Sequence, residues 1–221
     1  MQQNQETTGQ NLAMEKYYRF QSKIYDLTRW SFLFGRQEIL RKIPVSSDSH
    51  ILEIGCGTGY NLRRMAKLYP KARFSAFEVS TDMIRLSKKN TRQFKDRIHL
   101  IEAPFSADTV ALVADVDVVL FSYSLTMINP QWQELIELAL EKLNPGGYIA
   151  VVDFHDSRFS WFKKHMGNNH VRMDSHLLPL LEKSSLPVVK SIKKAYGGVW
   201  EYVVFIGKKP NTSVLSSPAP A

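Results

Sequence analysis

Two rhythms of apolar and polar positions alternate along this chain. Apolar runs of strand length recur at His50–Ile54, Arg73–Val79, Ile98–Glu102, Asp117–Tyr123 and Tyr148–Asp153. Between them, apolar residues return at helical spacing from about Tyr60 to Leu68, from Thr81 to about Thr91, briefly near Ala107–Ala114, and over Gln131–Leu143. Pro70 stops the first helix; Ser80 or Thr81 caps the second, with Asp82 in its positive first turn. Asp117–Tyr123 is almost continuously apolar, as in a strand buried on both faces. The repeated strand–helix order predicts an α/β, doubly wound sheet with helices on both faces, because parallel neighbours need helical crossovers.

The pattern differs at both ends. Tyr17, Phe20, Ile24 and Leu27, then Trp30, Phe34 and Ile39, predict two helices within residues 12–45, the second closed by Pro44. After the fifth strand, Ser157–Met166 is aromatic and basic and Met173–Ser184 has helical spacing. Val188–Ala195 and Val199–Ile206 then face each other across Gly197-Gly198 as a hairpin, so the sheet is expected to be mostly parallel with a C-terminal antiparallel strand. Residues 1–11 and 208–221 are polar or Ser/Pro-rich and are expected to be disordered. That leaves a helical lid at 12–45 and one domain at 46–207, in keeping with 221 residues of which 44% are hydrophobic.

The net charge of +8 is uneven. Residues 46–156 are near neutral, whereas residues 157–221 carry ten basic and three acidic side chains, an excess suited either to an anionic surface or simply to dispersal. The single Cys56 excludes an internal disulfide and a cysteine cluster for zinc, and no metal site is expected. The start is too polar for a signal peptide and no apolar run is longer than a strand, which predicts a cytoplasmic protein with at most peripheral membrane contact.

The chemistry begins at Glu53-Ile54-Gly55-Cys56-Gly57-Thr58-Gly59. An apolar strand ending in closely spaced glycines brings bare backbone up to a ligand, and Glu78, one strand later, is placed to accept from ribose hydroxyls. A dinucleotide loop needs a third glycine where Tyr60 stands. Glu53 also sets a carboxylate at the crevice mouth, unfavourable beside a pyrophosphate and favourable beside an α-amino group. Here the chain resembles the class I S-adenosylmethionine-dependent methyltransferases, in order from about residue 50 to 155. The resemblance implies a Rossmann-like sheet and S-adenosylmethionine as cofactor, giving S-adenosylhomocysteine. It places Glu53, Gly55, Cys56 and Gly57 in the first motif, Glu78 on the ribose, and Val79 and Met83 on the adenine. Glu102 and Ala103 fall at the acidic position after the third strand. Phe121-Ser122-Tyr123-Ser124-Leu125 runs past the methionine moiety, and Asn144-Pro145-Gly146-Gly147 is the turn before the fifth strand.

The acceptor is read from the flanks. Ser122-Tyr123-Ser124-Leu125 replaces the Asn/Asp-Pro-Pro-aromatic segment typical of enzymes acting on base amines, which counts against a base amine. The basic charge still permits RNA, a weakened option, and no nucleic acid is expected. Tyr17, Tyr18, Tyr25 and Trp30, with Phe159, Trp161, Phe162, Tyr196, Trp200 and Tyr202, suit either core packing or a cation-binding pocket. Residues 25–36, Asn169–Pro179 and Ala195–Trp200 resemble the betaine-lipid N-methyltransferases, which trimethylate the amine of a diacylglyceryl-homoserine lipid. That resemblance implies a lipid acceptor at an anionic membrane surface and an amino-carboxypropyl transferase as a candidate partner. By similarity, Tyr25 and Arg29 are candidates for the cofactor carboxylate. Tyr17, Tyr18, Asp153, Tyr196 and Trp200 are candidates for the acceptor, with His170, Arg172 and His176 for its carboxylate or as a solvated helix entry. His155 and Tyr123 are the candidate catalytic residues, His155 as the base that removes a proton from the amine. A phosphatidylethanolamine N-methyltransferase, a quinone or other small-molecule methyltransferase, and a cofactor-binding module without turnover stay open as alternatives.

Overall fold

The computed structural model describes residues 32–210. Seven strands form one sheet in the order β3-β2-β1-β4-β5-β7-β6. They are β1 His50–Ile54, β2 Arg73–Glu78, β3 Ile98–Glu102, β4 Val116–Ser122, β5 Leu143–Phe154, β6 Leu186–Ala195 and β7 Trp200–Lys208. The first five are parallel; β7 pairs antiparallel with both β5 and β6. The doubly wound sheet with its C-terminal hairpin strand is therefore as expected.

Among the described residues six α-helices flank it: α1 Arg36–Lys42, α2 Tyr60–Leu68, α3 Thr81–Thr91, α4 Trp132–Lys142, α5 Ser160–Asn168 and α6 Leu177–Ser184. One face buries Ile39 and Leu40 of α1, Leu62 and Met65 of α2 and Phe162 and Met166 of α5 against Ile51, Val118, Val152 and Val204. The other buries Leu135, Ile136 and Ala139 of α4 and Leu177 and Leu181 of α6 against Leu52, Val119, Val151 and Phe205. Each central strand thus feeds two cores, the physical reason that β4 reads as unbroken apolar sequence.

Three differences have local causes. Near Ala107–Ala114 only a 3-10 turn forms, Val110–Leu112, because the Thr109 hydroxyl accepts from Ser106 N and donates to Pro104 O, engaging backbone that a helix needs. The helix expected from Met173 starts at Leu177, since Ser175 is left-handed and its N–H donates to His155 O. The sheet also outlasts residue 207: β7 reaches Lys208, and the ammonium of Lys209 donates to Leu143 O at 2.6 Å. The expected first helix of the lid, with Tyr17, Tyr18, Tyr25 and Arg29, lies outside the described residues, as do residues 1–11 and those after 210.

Candidate active site

The glycine loop runs from the carboxyl end of β1 into α2. Gly55 N and Cys56 N donate to Phe77 O on β2, which turns the chain over the sheet edge, and Gly57 N donates to Glu78 Oε2 at 2.8 Å. Glu78 Oε1 accepts from Ser80 N, so its carboxylate is aimed before any ligand arrives. Gly59, at φ 74°, caps α2, and a Cβ there would run into the Ser87 side chain of α3. Close helix packing is therefore the task of Gly59, and Tyr60 turns outward beneath the Arg36 guanidinium, 4.2 Å from its ring. A Cβ on Gly55 would lie 3.0 Å from that of Ser124, which brings the segment after β4 against the loop.

Glu53 is only 1% exposed. Its Oε1 accepts from Asn61 Nδ2 at 2.6 Å, Asn61 Oδ1 accepts from Arg36 Nε at 3.0 Å, and Oε2 is buried with no partner. Burial pushes this carboxyl up to about 7, against the opposing pull of Asn61 and Arg36. The hydroxyls of Ser122 and Ser124 are likewise buried and unpartnered. An unpaired carboxylate oxygen and two unpaired hydroxyls around one loop form a donor and acceptor set for an amino acid ammonium and carboxylate. With Glu78 poised for a ribose, these residues fit S-adenosylmethionine.

The other cofactor positions lie along the same edge. Val79 is half-exposed beside Glu78; Met83 is buried and its N–H donates to Ser80 Oγ. Glu102 accepts from Thr81 Oγ1 at 2.5 Å, and Ala103 packs on the core behind it. Burial raises the Cys56 thiol well above its ordinary range, which leaves it an inert small residue whose backbone matters.

On the acceptor side the structure redistributes the candidates. Tyr123 is 1% exposed and its hydroxyl donates to Phe34 O at 2.7 Å, so it anchors the segment before α1 and presents no free hydroxyl. Asp153 is fully buried, bound by Thr126 Oγ1 at 2.5 Å, Thr126 N and Phe154 N; burial raises it to about 6. It orders the turn after β4 through Thr126. Trp200 stacks between Phe162 and Phe32 at 2% exposure, a core position, while Tyr196 beside it is half-exposed. The supposed carboxylate site is already closed from within: Asp174 accepts from Arg172 Nε at 2.7 Å and pairs with His176 Nδ1 at 2.5 Å, and His170 sits on the exposed turn before them.

His155, just past β5, keeps its place as a candidate base. Its backbone is tied on both sides, to Glu201 O and Ser175 N, and its Nδ1 is buried without a partner. Burial lowers its proton affinity, which keeps the imidazole neutral near pH 7. Sequence patterns assign Asn61 and Thr126 no role, and Ser124 and Asp174 figure there only as members of longer segments. The one signal was that Asn61 lies two residues past Gly59, on the inner side of the first turn of α2.

Beside this edge lies an apolar cleft of about 410 Å³. Met127 lines it from the 3-10 turn after β4, Phe154 from the end of β5, Phe32 and Leu33 from before α1, and Trp161, Phe162, His165 and Met166 from α5. Among the described residues no three His, Cys, Asp or Glu side chains group for a metal, and no helix is long and apolar enough to cross a membrane.

Residues 51–147 match the family model described as a methyltransferase domain. The chain is 30% identical over 109 residues to a malonyl-[acyl-carrier protein] O-methyltransferase of Priestia megaterium, covering 49% of this chain and 38% of that protein. It is 25% identical over 115 residues to a trans-aconitate 2-methyltransferase of Azoarcus sp., covering 52% and 43%. It thus spans about two fifths of the length of these relatives. The N-methyltransferase NodS of Bradyrhizobium japonicum, solved with S-adenosylhomocysteine, superposes with a TM-score of 0.65 at 18% identity, over 80% of this chain and 86% of that one. A geranyl diphosphate methyltransferase solved with S-adenosylmethionine also gives 0.65, at 11% identity, over 79% of this chain and 84% of that one. The molecule has the fold and cofactor loop of the class I S-adenosylmethionine-dependent methyltransferases, and S-adenosylmethionine is the cofactor of that class.

Proposed function

We propose that the protein is an N-methyltransferase acting on the headgroup amine of a membrane lipid, with the diacylglyceryl-homoserine amine as the acceptor the flanking segments favour. The observation that carries this reading is the apolar cleft at the carboxyl edge of β4 and β5, beside the glycine loop. An acceptor with a polar reacting end and an aliphatic body suits such a neighbourhood.

S-adenosylmethionine, when bound, supplies a methyl group on a sulfonium. The chain's own residues do the rest. Glu53, Ser122 and Ser124 hold the amino acid end, Glu78 holds the ribose, and the dry wall of Met127 and Phe154 keeps water from the reacting edge. An amine attacks only as the free base, and His155 Nδ1, neutral and unpartnered, takes its proton. Arg172 and His176 hold their loop through Asp174, so the carboxylate of a homoserine headgroup must be met by other groups.

The test is methyl transfer from labelled S-adenosylmethionine to a panel of acceptors: the homoserine lipid, phosphatidylethanolamine, a quinone precursor, and soluble carboxylates. Label in the homoserine lipid supports the reading. Label in phosphatidylethanolamine alone replaces the headgroup, and label only in the quinone or the soluble acids overturns lipid N-methylation.

A further inference from the structure

We propose that α5 is the surface on which the protein docks to an anionic bilayer, and that the cleft behind it receives one acyl chain of a lipid in that bilayer. The proposal deepens the lipid reading above and rests on it for the identity of the chain's headgroup.

Three observations converge on α5. Trp161 is 63% exposed on a nine-residue helix, although its neighbour Phe162 is buried and stacked on Trp200. A large indole left in water costs free energy unless an interface covers it, and tryptophan prefers the boundary between headgroups and chains. Around it stand exposed cations: Arg158 before the helix, then Lys164 and His165 on it. Lys163 differs, being paired with Asp156 at 2.5 Å, so Arg158 and Lys164 are the charges turned outward. An exposed indole ringed by cations is complementary to a surface with anionic headgroups over hydrocarbon.

The third observation is continuity. Trp161 and His165 line the cleft on the α5 side, and Met127 and Phe154 line it at the edge of the sheet that carries the glycine loop. A chain drawn in past Trp161 therefore lies along Phe162, Met166 and Val171 with its headgroup toward Met127 and Phe154. This arrangement leaves the diacylglycerol backbone near the membrane while the amine reaches the reacting edge. The wider charge agrees: residues 157–221 hold ten basic and three acidic side chains.

Docking is tested by co-sedimentation of the full chain with vesicles of phosphatidylcholine, with and without roughly 30% phosphatidylglycerol. The wild type is expected to pellet with the anionic vesicles only. Trp161→Ala and Lys164→Glu, both at exposed positions, are each expected to lower partitioning about tenfold with unchanged thermal melting. Failure of the wild type to bind anionic vesicles, or undiminished binding by both variants, overturns the docking surface. The cleft is tested with cis-parinaric acid as a fluorescent chain probe. Asn169→Trp, at an exposed lining position, is expected to weaken it at least about fivefold, and unchanged affinity overturns the chain site. Vesicle binding without methylation of any lipid amine refutes the acceptor reading and leaves the docking surface standing. Methylation of lipid amines without vesicle binding refutes the docking alone.

Discussion

Asn61 Nδ2 donates to Glu53 Oε1 at 2.6 Å, joining the first turn of α2 to the last turn-ward residue pair of β1 across the glycine loop. One carboxylate oxygen is thereby fixed and the other, Oε2, is left buried and unpartnered. Burial raises the Glu53 pKa from 4.5 to about 7. A ligand ammonium reverses that balance by pairing with the ionised form.

Cofactor binding should therefore depend on pH through Glu53. The wild type is expected to bind S-adenosylhomocysteine more tightly as pH rises through about 7, and Glu53→Gln to weaken binding about tenfold or more, ~1.4 kcal/mol, with a flat pH profile. The same shift acts on stability with the opposite slope. Between pH 4.5 and about 7 the folded carboxyl binds more proton than the unfolded one, so ligand-free stability falls as pH rises. Calorimetric titration and melting of both proteins across that window check each sign.

The Asp153–Thr126 pair sets the turn that follows β4. Thr126→Val removes the hydroxyl donor at 2.5 Å from a fully buried carboxylate and is expected to cost about 1–3 kcal/mol. Asp153 titrates near 6, so the loss should be larger at pH 8, where the carboxylate is ionised, than at pH 5. Equal losses at the two pH values contradict this role.

Tyr123→Phe separates anchoring from catalysis. Losing the bond to Phe34 O should cost about 1 kcal/mol in stability and leave kcat within about twofold. A large fall in kcat with unchanged melting would restore Tyr123 as a catalytic group.

His155→Gln keeps a polar side chain at the end of β5 and removes the proton acceptor. The expected result is a fall in kcat of about a hundredfold, with S-adenosylhomocysteine affinity preserved and the acidic limb of the pH–rate profile lost. Burial lowers the pKa of His155, so that limb should lie below the ordinary histidine value of 6.5. A decrease of less than about threefold removes His155 as the base.

Local rules carried much of this architecture. β1, α2 and β3 occupy the residues their patterns predicted, because each is bounded by chemistry visible on the spot: Pro44 and polar residues before His50, glycines after Ile54, Pro70 beyond Leu68. The cofactor loop was legible for the same reason, since glycine spacing and Glu53 are contiguous. What could not be read was anything assembled across the fold. The cleft draws on Phe32, Met127, Phe154, Phe162 and Val171, which share no local pattern. His170, Arg172 and His176 look like a cationic group in sequence, yet Asp174 sits among them and folds back onto two of the three. Tyr123 and Trp200 carry polar tips in apolar surroundings, and only their neighbours decide between chemistry and packing.

Lipid-amine methylation is tested most directly by mass spectrometry of diacylglyceryl-homoserine incubated with the protein and S-adenosylmethionine. Mono-, di- and trimethylated lipid is expected to appear in turn, with the methyl groups on nitrogen and resistant to mild base. Unchanged lipid, or a base-labile methyl ester on the carboxylate, contradicts it.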